Sequence, residues 1–321
     1  MKILEILKQN GIFSLWHFTD IRNLPLIEQL DGLRSKEFLE TNGYLEKVIC
    51  GGNQTSHYLD KNLGNWDKIS LSFTPHIPMA YHAKKEKHLI FIEIDPIIAT
   101  FDGVYFTDCN ATKIRNGQKR EKGIKGLRNI KFEYITSNPK PFDPKWKKYV
   151  QAEVLVPNHI PSIFFKKIHF ISEASLMLGK FLCSGIYHHF FTITPKVFAD
   201  YDYYGNSWTI INPYLDRIII TDREITKDNV KDNHPAVDNI KLNKTYWMKT
   251  KLFATAGTKV EATLKDSEDG IIFNKQHEFK KESIWFWFPC FQIPAEYLYD
   301  EIILEIKLDN ILWYKERRKV E

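Results

Sequence analysis

The sequence lacks the patterns that hold metals, bridge thiols or cross a lipid bilayer. Its 321 residues include four cysteines, Cys50, Cys109, Cys183 and Cys290, which are far apart and form no Cys-x-x-Cys pair. A zinc site or a disulfide framework is therefore not expected, whereas reduced thiols are. No apolar run approaches the ~20 residues of a membrane-spanning helix, and the first residues do not resemble a secretory signal. We thus expect a cytoplasmic protein with no metal and no membrane contact.

An excess of one charge is also absent overall, but charge is unevenly distributed. Lys and Arg number 45 against 40 Asp and Glu, a net charge of +5. Between residues 113 and 148, however, cations far outnumber carboxylates and aromatic rings lie among them. Cations hold phosphates and rings stack on bases, as a site for single-stranded nucleic acid requires. A solvated basic face is the alternative, and we favour nucleic acid. The residues predicted to bind it are Arg115, Lys119, Arg120, Lys122, Lys147 and Lys148.

The pattern of apolar residues predicts a first domain of mixed helices and strands. Short helices are expected over residues 3–9 and 24–30, and Pro25 is well placed to open the second. Strands are expected over residues 15–20 and 69–75, and buried strands over residues 89–94 and 104–108. A helix over 174–183 between two further strands completes this part, which we predict to span residues 1–203.

The remaining residues, 204–321, change character. They form short β-like runs separated by Gly, Pro and Asp-Gly, which is typical of an Ig-like β-sandwich. We find no catalytic constellation in this second domain. Asp266 and Asp269 indicate a hairpin turn rather than a calcium loop. Trp285 and Trp287 share one strand face and are expected in the core, although exposed rings there could stack on a base or a sugar.

One stretch in the first domain combines a buried strand with a charge. Residues 149–156 read as a strand that Pro157 closes, and Glu153 lies among its apolar side chains. An ionised carboxylate is costly in such surroundings unless a partner or a polar cleft receives it. Gln151, two residues earlier, is predicted on the same face. The two side chains indicate either a site or the polar outward face of an edge strand.

Four segments, in this order, resemble the DarT-type ADP-ribosyltransferases, toxin enzymes that use NAD⁺ to modify bases of single-stranded DNA. Each segment alone is a weak signal, whereas four in the same order at plausible spacing are fairly specific. The resemblance covers about the first 200 residues. The segments are Leu15–Asp20 with Asn23-Leu24-Pro25, Ser72–Pro75 with Pro78–Tyr81, Phe106–Ala111, and Gln151–Pro157.

The resemblance implies an α+β ADP-ribosyltransferase fold, with two packed sheets and NAD⁺ held as a co-substrate in the cleft between them. It implies a pentosyltransferase in which Glu153 is the catalytic carboxylate and Gln151 orients the nucleophile. Asp108 and Asn110 match a motif whose role is uncertain; they would at least hold the geometry of a loop. The residues that it implies for NAD⁺ binding are His17, Phe18, Thr19, Asn23 and Tyr81.

The resemblance also implies partners and leaves alternatives open. A macrodomain antitoxin is the implied partner of a DNA-modifying toxin in a toxin–antitoxin or anti-phage system. The family carries an arginine ahead of the Ser-Phe-Thr-Pro segment, but residues 35–70 contain none. Arg22 or Arg34 would have to substitute, or the chemistry differs. The acceptor could instead be RNA or protein, the chain could be a nucleic-acid-binding defence module with a degenerate NAD⁺ site, and the second domain could bind the target or a partner protein.

Overall fold

The structure is a computed structural model that describes residues 2–50, 54–113, 120–137, 140, 142–201, 208–210 and 213–321, with backbone alone at 54–56, 201, 208 and 209. By its contacts the chain divides into two compact units. Unit 1 is Met1–Phe170 with Cys183–Ile210, and unit 2 is Ile171–Leu182 with Ile211–Glu321. The predicted domain boundary at residue 203 stays a prediction. The structural division differs from it because a helix ahead of that boundary groups with the later strands.

Eight α-helices are described in unit 1. They are α1 (Ile3–Gln9), α2 (Leu24–Gln29), α3 (Lys36–Thr41), α4 (Gln54–Asn62), α5 (Pro78–Ala83), α6 (Gly123–Arg128), α7 (Phe132–Ile135) and α8 (Pro144–Tyr149). Local sequence fixes several starts. A proline lies in the first turn of α2, α5 and α8, where its missing N–H leaves no partner unsatisfied. Ser35 caps α3 by accepting a hydrogen bond from the Phe38 backbone, as N-cap serines do.

Eight strands of unit 1 form one sheet, in the order β10-β9-β4-β1-β3-β7-β5-β6. All neighbours are antiparallel except β9 and β10. Two short ribbons, β2 with β8 and β11 with β12, complete the strands of this unit. The strands are β1 (Leu15–Asp20), β2 (Gly32–Arg34), β3 (Lys68–Ser72), β4 (Leu89–Ile94), β5 (Tyr105–Thr107), β6 (Glu121–Lys122), β7 (Glu153–Pro157), β8 (His159–Pro161), β9 (Phe165–Phe170), β10 (Phe191–Ile193), β11 (Asp200–Tyr201) and β12 (Trp208–Thr209).

The sheet is two four-stranded halves that meet at a narrow seam. Strand β1 pairs with β4 along its whole length, and β3 pairs likewise with β7. Between β1 and β3, in contrast, the register contains one pair, Trp16 with Ser72. Beyond this pair the register of these two described strands holds the two halves together at no further point.

The core of unit 1 explains why the central strands are apolar on both faces. Ile90, Phe91 and Ile92 of β4 are at most 1% exposed, and Val154 and Leu155 of β7 are fully buried. Strands covered on both sides read as continuous apolar runs. A carboxylate on β7 is consequently removed from solvent, which matters for the site.

Unit 2 has one described helix, α9 (Glu173–Leu182), and two antiparallel sheets ordered β13-β14-β17 and β16-β15-β18-β19. Rings of β16 and β17 meet between the sheets: His277 stacks on Phe286 at 4.6 Å, and Phe273 lies 5.8 Å from Phe291. The sandwich-like architecture is thus confirmed. Its strands are β13 (Tyr214–Thr221), β14 (Thr245–Ala254), β15 (Lys259–Lys265), β16 (Ile271–Glu278), β17 (Ser283–Gln292), β18 (Glu301–Leu308) and β19 (Ile311–Lys319).

Two local predictions for unit 2 can be compared with the structure. Asp266 does form a hairpin turn between β15 and β16, because its Oδ1 accepts the backbone N–H groups of Glu268 and Gly270. Trp285 and Trp287 are half-buried rather than fully in the core. The Trp285 ring packs under the Nζ of the buried Lys249, at 4.3 Å from the centroid.

One predicted strand in unit 1 begins too early. Residues 149–156 were expected to be extended, but Tyr149 ends α8, residues 150–152 form a turn, and β7 begins at Glu153. Pro144 explains the difference, since it opens a helix whose capping carboxylate, Asp143, binds the Lys145 N–H. No helix in the described residues is both long and apolar enough to cross a bilayer.

Candidate active site

Glu153 is the first residue of β7 and lies beside the seam. It pairs in register with Ser72 of β3 on one side and with Thr107 of β5 on the other. It is 9% exposed, and burial raises its pKa to about 8. Hydrogen bonds from the Ser70 side chain and the Ala111 backbone act in the opposite direction. The carboxyl group is therefore largely protonated at neutral pH, and a nearby positive charge would ionise it.

Ser70 joins Glu153 to His17 across the seam. Its hydroxyl contacts the Glu153 carboxyl group, and its carbonyl oxygen lies 3.1 Å from Nδ1 of His17. Burial lowers the pKa of His17, so the imidazole is neutral at pH 7. A carbonyl can only accept, so Nδ1 carries the proton and Nε2 is left as an acceptor. The exposed Ser70 marks the point where this cluster opens to solvent.

Thr19 and Asn23 hold a backbone segment beside His17. Thr19 lies two residues after His17 and therefore on the same face of β1. Its hydroxyl accepts from Asn23 Nδ2 at 2.8 Å, and the Asn23 side chain exchanges two 2.9 Å hydrogen bonds with the backbone of Ile49. Both polar side chains are buried. Phe18 is separated from this group, because it points to the opposite face and packs on Phe91, 6.3 Å between centroids.

The Asp108–Ala111 motif forms a turn that delivers an N–H group to Glu153. Asn110 is buried, and its Oδ1 accepts from the backbone and hydroxyl of Thr112 at 2.9 and 2.6 Å. The turn aims the Ala111 N–H at the Glu153 carboxyl group. Asn110 Nδ2 also lies 3.0 Å from Met79 Sδ on α5. The motif thus has a physical task, and Asp108 takes part as a half-buried member of the bend.

Tyr81 lies on α5, the helix that the Asn110 turn contacts. Its ring is half-buried, packs edge-on against His82 at 5.3 Å, and has Lys85 Nζ 5.1 Å from its centroid.

The remaining catalytic candidate, Gln151, precedes β7 and donates from Nε2 to the carbonyl oxygen of Lys147 at 2.6 Å. The Gln151 amide is therefore engaged with the end of α8.

Lys36 supplies positive charge to the cluster. Its Nζ is 2.6 Å from Asp60 Oδ2 and 5.2 Å from the Trp66 ring. The charge of Lys36 lowers the pKa of both His17 and Glu153, and that of Asp60 raises the pKa of Glu153. The ammonium group thus lies close enough to both side chains to act on them electrostatically.

The two arginines considered as substitutes each contact other residues. Arg22 makes a two-pronged ion pair with the buried Asp20, at 2.7 and 2.9 Å. Arg34 donates to the carbonyl oxygen of Leu30 and lies over the Phe38 ring, 4.7 Å from its centroid. Both guanidinium groups therefore have a structural partner, whereas Lys36 acts on the two central side chains.

The predicted nucleic-acid-binding residues separate into different environments. Arg115 and Lys119 lie outside the described residues. Arg120 donates to the carbonyl oxygens of Leu63 and Gly64 and to the Asn65 side chain, which ties it to the end of α4. Lys122 and Lys147 are exposed, and Lys148 lies 4.8 Å from the centroid of the Tyr149 ring.

Three contributors to the cluster were missed from the sequence: Ser70, Lys36 and Asp60. The alternation of Ser70 and Ser72 on one strand face is the signal that could have found Ser70. Lys36 and Asp60 carry no local signal, because only the packing of α3 and α4 brings them together. Within the described residues no group of three or more His, Cys, Asp or Glu is arranged to hold a metal ion.

Comparison with known structures gives matches to DarT proteins. Residues covering 58% of the chain align with Thermosipho africanus DarTG in complex with ADP-ribose, at 21% identity and a TM-score of 0.46. The same share aligns with Thermus sp. 2.9 DarT in complex with ADP-ribosylated ssDNA, at 14% identity and a TM-score of 0.47. The matches span 50% of the Thermosipho chain and 96% of the Thermus chain. No curated protein sequence matches the chain significantly.

A family model gives the stronger result. The model described as "ssDNA thymidine ADP-ribosyltransferase, DarT" matches residues 16–177. This range contains the four motif segments except Leu15, the first residue of the first segment, and it includes His17, Ser70, Asn110 and Glu153. It also ends inside α9, before the sandwich strands begin. Because the match covers half of the 321 residues, the chain belongs to the DarT family of ssDNA thymidine ADP-ribosyltransferases.

Proposed function

We propose that the protein transfers ADP-ribose from NAD⁺ to a thymidine base of single-stranded DNA. Membership of the family supports this reaction. The observation that carries it for this chain is the buried Glu153, with its raised pKa, linked through Ser70 to a neutral His17 at the seam. A carboxyl group in this position is poised to respond to positive charge that develops beside it.

Glu153 would act in both halves of the transfer. As the bond between nicotinamide and ribose breaks, its electrons leave with nicotinamide and positive charge develops on the ribose. Ionised Glu153 stabilises that charge, which is the preorganised electrostatic effect that usually dominates catalysis. The base then attacks the ribose carbon, and Glu153 takes the proton that the attacking atom loses. The raised pKa makes it an effective acceptor near neutral pH.

The residues around β1 would hold NAD⁺. Nε2 of neutral His17 is a free acceptor for a ribose hydroxyl. Thr19 and Asn23 would act with it by fixing the backbone at Ile49. Tyr81 would provide an aromatic surface from α5. Phe18 would contribute from the opposite face, through packing of β1 rather than by contact.

Lys36 would take the part of the arginine that the family carries. Its ammonium group lies close to Glu153 and His17 and is oriented by Asp60. In this position it would attract the diphosphate of NAD⁺ and favour the ionised form of Glu153. Gln151 would support the site by holding the end of α8 against β7, and Asp108 and Asn110 by positioning the Ala111 N–H.

Mass spectrometry of short oligonucleotides tests the reaction. Wild-type protein with NAD⁺ should add one ADP-ribose unit to a single-stranded DNA that contains thymine and leave a thymine-free DNA unchanged. Glu153→Ala should abolish the addition, whereas Glu93→Gln, which changes a carboxylate on β4, is the matched control and should keep it if folded. If only RNA or only protein is modified, the proposed DNA acceptor is wrong. If no acceptor is modified and the protein does not bind NAD⁺, the whole proposal is overturned.

We also propose that the protein is the toxin of a toxin–antitoxin or defence system with a macrodomain antitoxin. The support is the family alone. Induced soluble wild-type protein should stop bacterial growth, and Glu153→Ala should not. Unimpaired growth during expression of protein that is active in the oligonucleotide assay would contradict the toxin role without affecting the reaction.

A further inference from the structure

Tyr105 lies on the same sheet face as Glu153, one strand away. In β5, Thr107 is the register partner of Glu153 and Tyr105 is the partner of Leu155. Residues two apart on a strand share a face, so the Tyr105 and Glu153 side chains emerge on the same side. Tyr105 and Glu153 are therefore diagonal neighbours on adjacent strands, and such neighbours are about 7–8 Å apart. Tyr105 is thus within one or two nucleotides of Glu153, since stacked bases are spaced by about 3.4 Å.

The Tyr105 ring is surrounded by cations. Lys122 Nζ lies 5.0 Å from its centroid, Lys68 Nζ 5.7 Å and the Arg120 guanidinium carbon 6.0 Å. The charge of Lys68 is paired with Asp67. Arg120 binds carbonyl and amide oxygens, which satisfy its N–H groups but leave its charge. Lys122 is exposed, and no carboxylate among the described residues lies within ion-pair distance of it. Two unneutralised cations therefore flank a half-buried ring.

The order of the strands places this ring opposite the His17 cluster. His17 is on β1 and Tyr105 on β5, with Glu153 on β7 between them in the order β1-β3-β7-β5. The strands that carry the two residues therefore lie on opposite sides of β7. If the cluster on β1 holds the nucleotide that donates the ribosyl group, the side of β5 is left for the acceptor.

We infer that Tyr105, with Lys122 and Arg120, forms a subsite for a nucleotide of the acceptor strand next to the modified thymidine. The ring would stack on the neighbouring base, and the two cations would attract its phosphate. Stacking accepts any base, so the subsite adds affinity without narrowing the flanking sequence. This inference rests on the proposed function, because it assumes a single-stranded DNA acceptor. The same nucleobase chemistry could come from the adenylate of NAD⁺, and the experiment separates the two sources.

The first experiment measures binding of fluorescently labelled oligothymidylate by anisotropy, together with the KM for NAD⁺ in the transfer reaction. Tyr105→Leu should weaken DNA binding by about 5- to 150-fold, the range of one base–aromatic stack, and leave the KM for NAD⁺ unchanged. Tyr105→Phe should retain wild-type affinity. Tyr44→Leu is the control, because Tyr44 is also half-buried with a lysine near its ring, Lys47 at 5.7 Å, but lies outside the Glu153 face.

The second experiment reads the phosphate contact from the salt dependence of binding. Lys122→Gln should reduce the slope of log affinity against log salt by about 0.7, the value for one phosphate on a single strand. Lys125→Gln is the matched control, since Lys125 is equally exposed but paired with Glu121 at 3.2 Å, and its slope should stay unchanged.

The outcomes distinguish this inference from the proposed function. Unchanged DNA affinity in Tyr105→Leu, with transfer intact, overturns the subsite and leaves the reaction standing. A raised KM for NAD⁺ with unchanged DNA affinity assigns the ring to the adenylate and also overturns it. If wild-type protein transfers ADP-ribose to none of the DNA oligonucleotides, the proposed function itself is wrong. Thermal unfolding of each variant shows whether any lost binding comes from lost fold.

Discussion

Replacing Glu153 by Gln should make the protein more stable while it inactivates the enzyme. In the fold the carboxyl group has a pKa of about 8, against 4.5 for the free group, because burial removes it from water. The native state therefore binds the proton more tightly than the unfolded state. Well below pH 4.5 the carboxyl group is protonated in both the native and the unfolded state, so it does not lower the stability of the fold. As pH rises from 4.5 towards 8, the fold is increasingly penalised, because the unfolded carboxyl group ionises freely and the native one does not.

The size of the effect follows from the same two pKa values. The penalty is about 1 kcal/mol at pH 5, about 3 kcal/mol at pH 7 and at most about 5 kcal/mol above pH 8, at about 1.4 kcal/mol for each pKa unit. Glu153→Gln removes it, because a neutral amide of the same shape has nothing to ionise. Urea unfolding at pH 5, 7 and 9 should show an advantage of the variant over wild type that grows with pH.

Glu93 offers a matched control of opposite sign. It lies on β4 of the same sheet, and its pKa is lowered to about 2, chiefly by a hydrogen bond with His169, with further contributions from Ser14 and Lys166. Ionised Glu93 therefore stabilises the fold above pH 4.5, and this stabilisation is lost as pH falls through about 2. Glu93→Gln should therefore destabilise the fold by up to about 3 kcal/mol at neutral pH. If the Glu153→Gln advantage does not change between pH 5 and 9, the burial argument is wrong.

Two further substitutions test the charge of Lys36 near Glu153 and the hydrogen bonds between Arg120 and the end of α4. The rate of transfer should rise with pH to a plateau above about 8 as Glu153 ionises. Lys36→Met should shift this rise to higher pH, and Lys36→Arg should restore the wild-type pH dependence. An unshifted pH profile for Lys36→Met would refute the role of the Lys36 charge. Arg120→Ala should lower the free energy of unfolding by about 1–3 kcal/mol, because the carbonyl oxygens at the end of α4 lose their donors. Lys122 is exposed, so Lys122→Ala should leave the free energy of unfolding unchanged. Equal melting temperatures for the Arg120 and Lys122 variants would contradict a stabilising role of the Arg120 hydrogen bonds.

The sequence was most informative where periodicity and local chemistry agree. Strand β1 and helices α1 and α2 follow from apolar spacing and proline position, so their bounds were predicted closely. Glu153 was found because a carboxylate in an apolar run violates the pattern. The start of β7 was wrong because Gln151 and its neighbours alternate like a strand, while Asp143 and Pro144 begin a helix whose last turn reaches Tyr149.

The rest of the site depends on contacts that no local pattern encodes. Lys36 and Asp60 are 24 residues apart, and only the packing of α3 and α4 makes them a pair. Ser70 bridges Glu153 and His17 because the two halves of the sheet meet at a single register pair. The cations around Tyr105 come from two separate segments, since Lys68 lies on β3 whereas Arg120 and Lys122 are two residues apart. Each of these arrangements is set by tertiary structure, where sequence spacing carries little information.

The placement of α9 has a consequence for how the protein is made. The chain crosses between the two units three times, after Phe170, after Leu182 and after Ile210. Helix α9 leaves the ribosome before β10, the outermost strand of the first sheet, yet its own strand neighbours are β13 and β19. Its buried side chains, Ala174 and Leu178 among them, consequently await the last strand to be synthesised. Unit 1 can complete its sheet, and with it the Glu153 site, before unit 2 has closed around this helix.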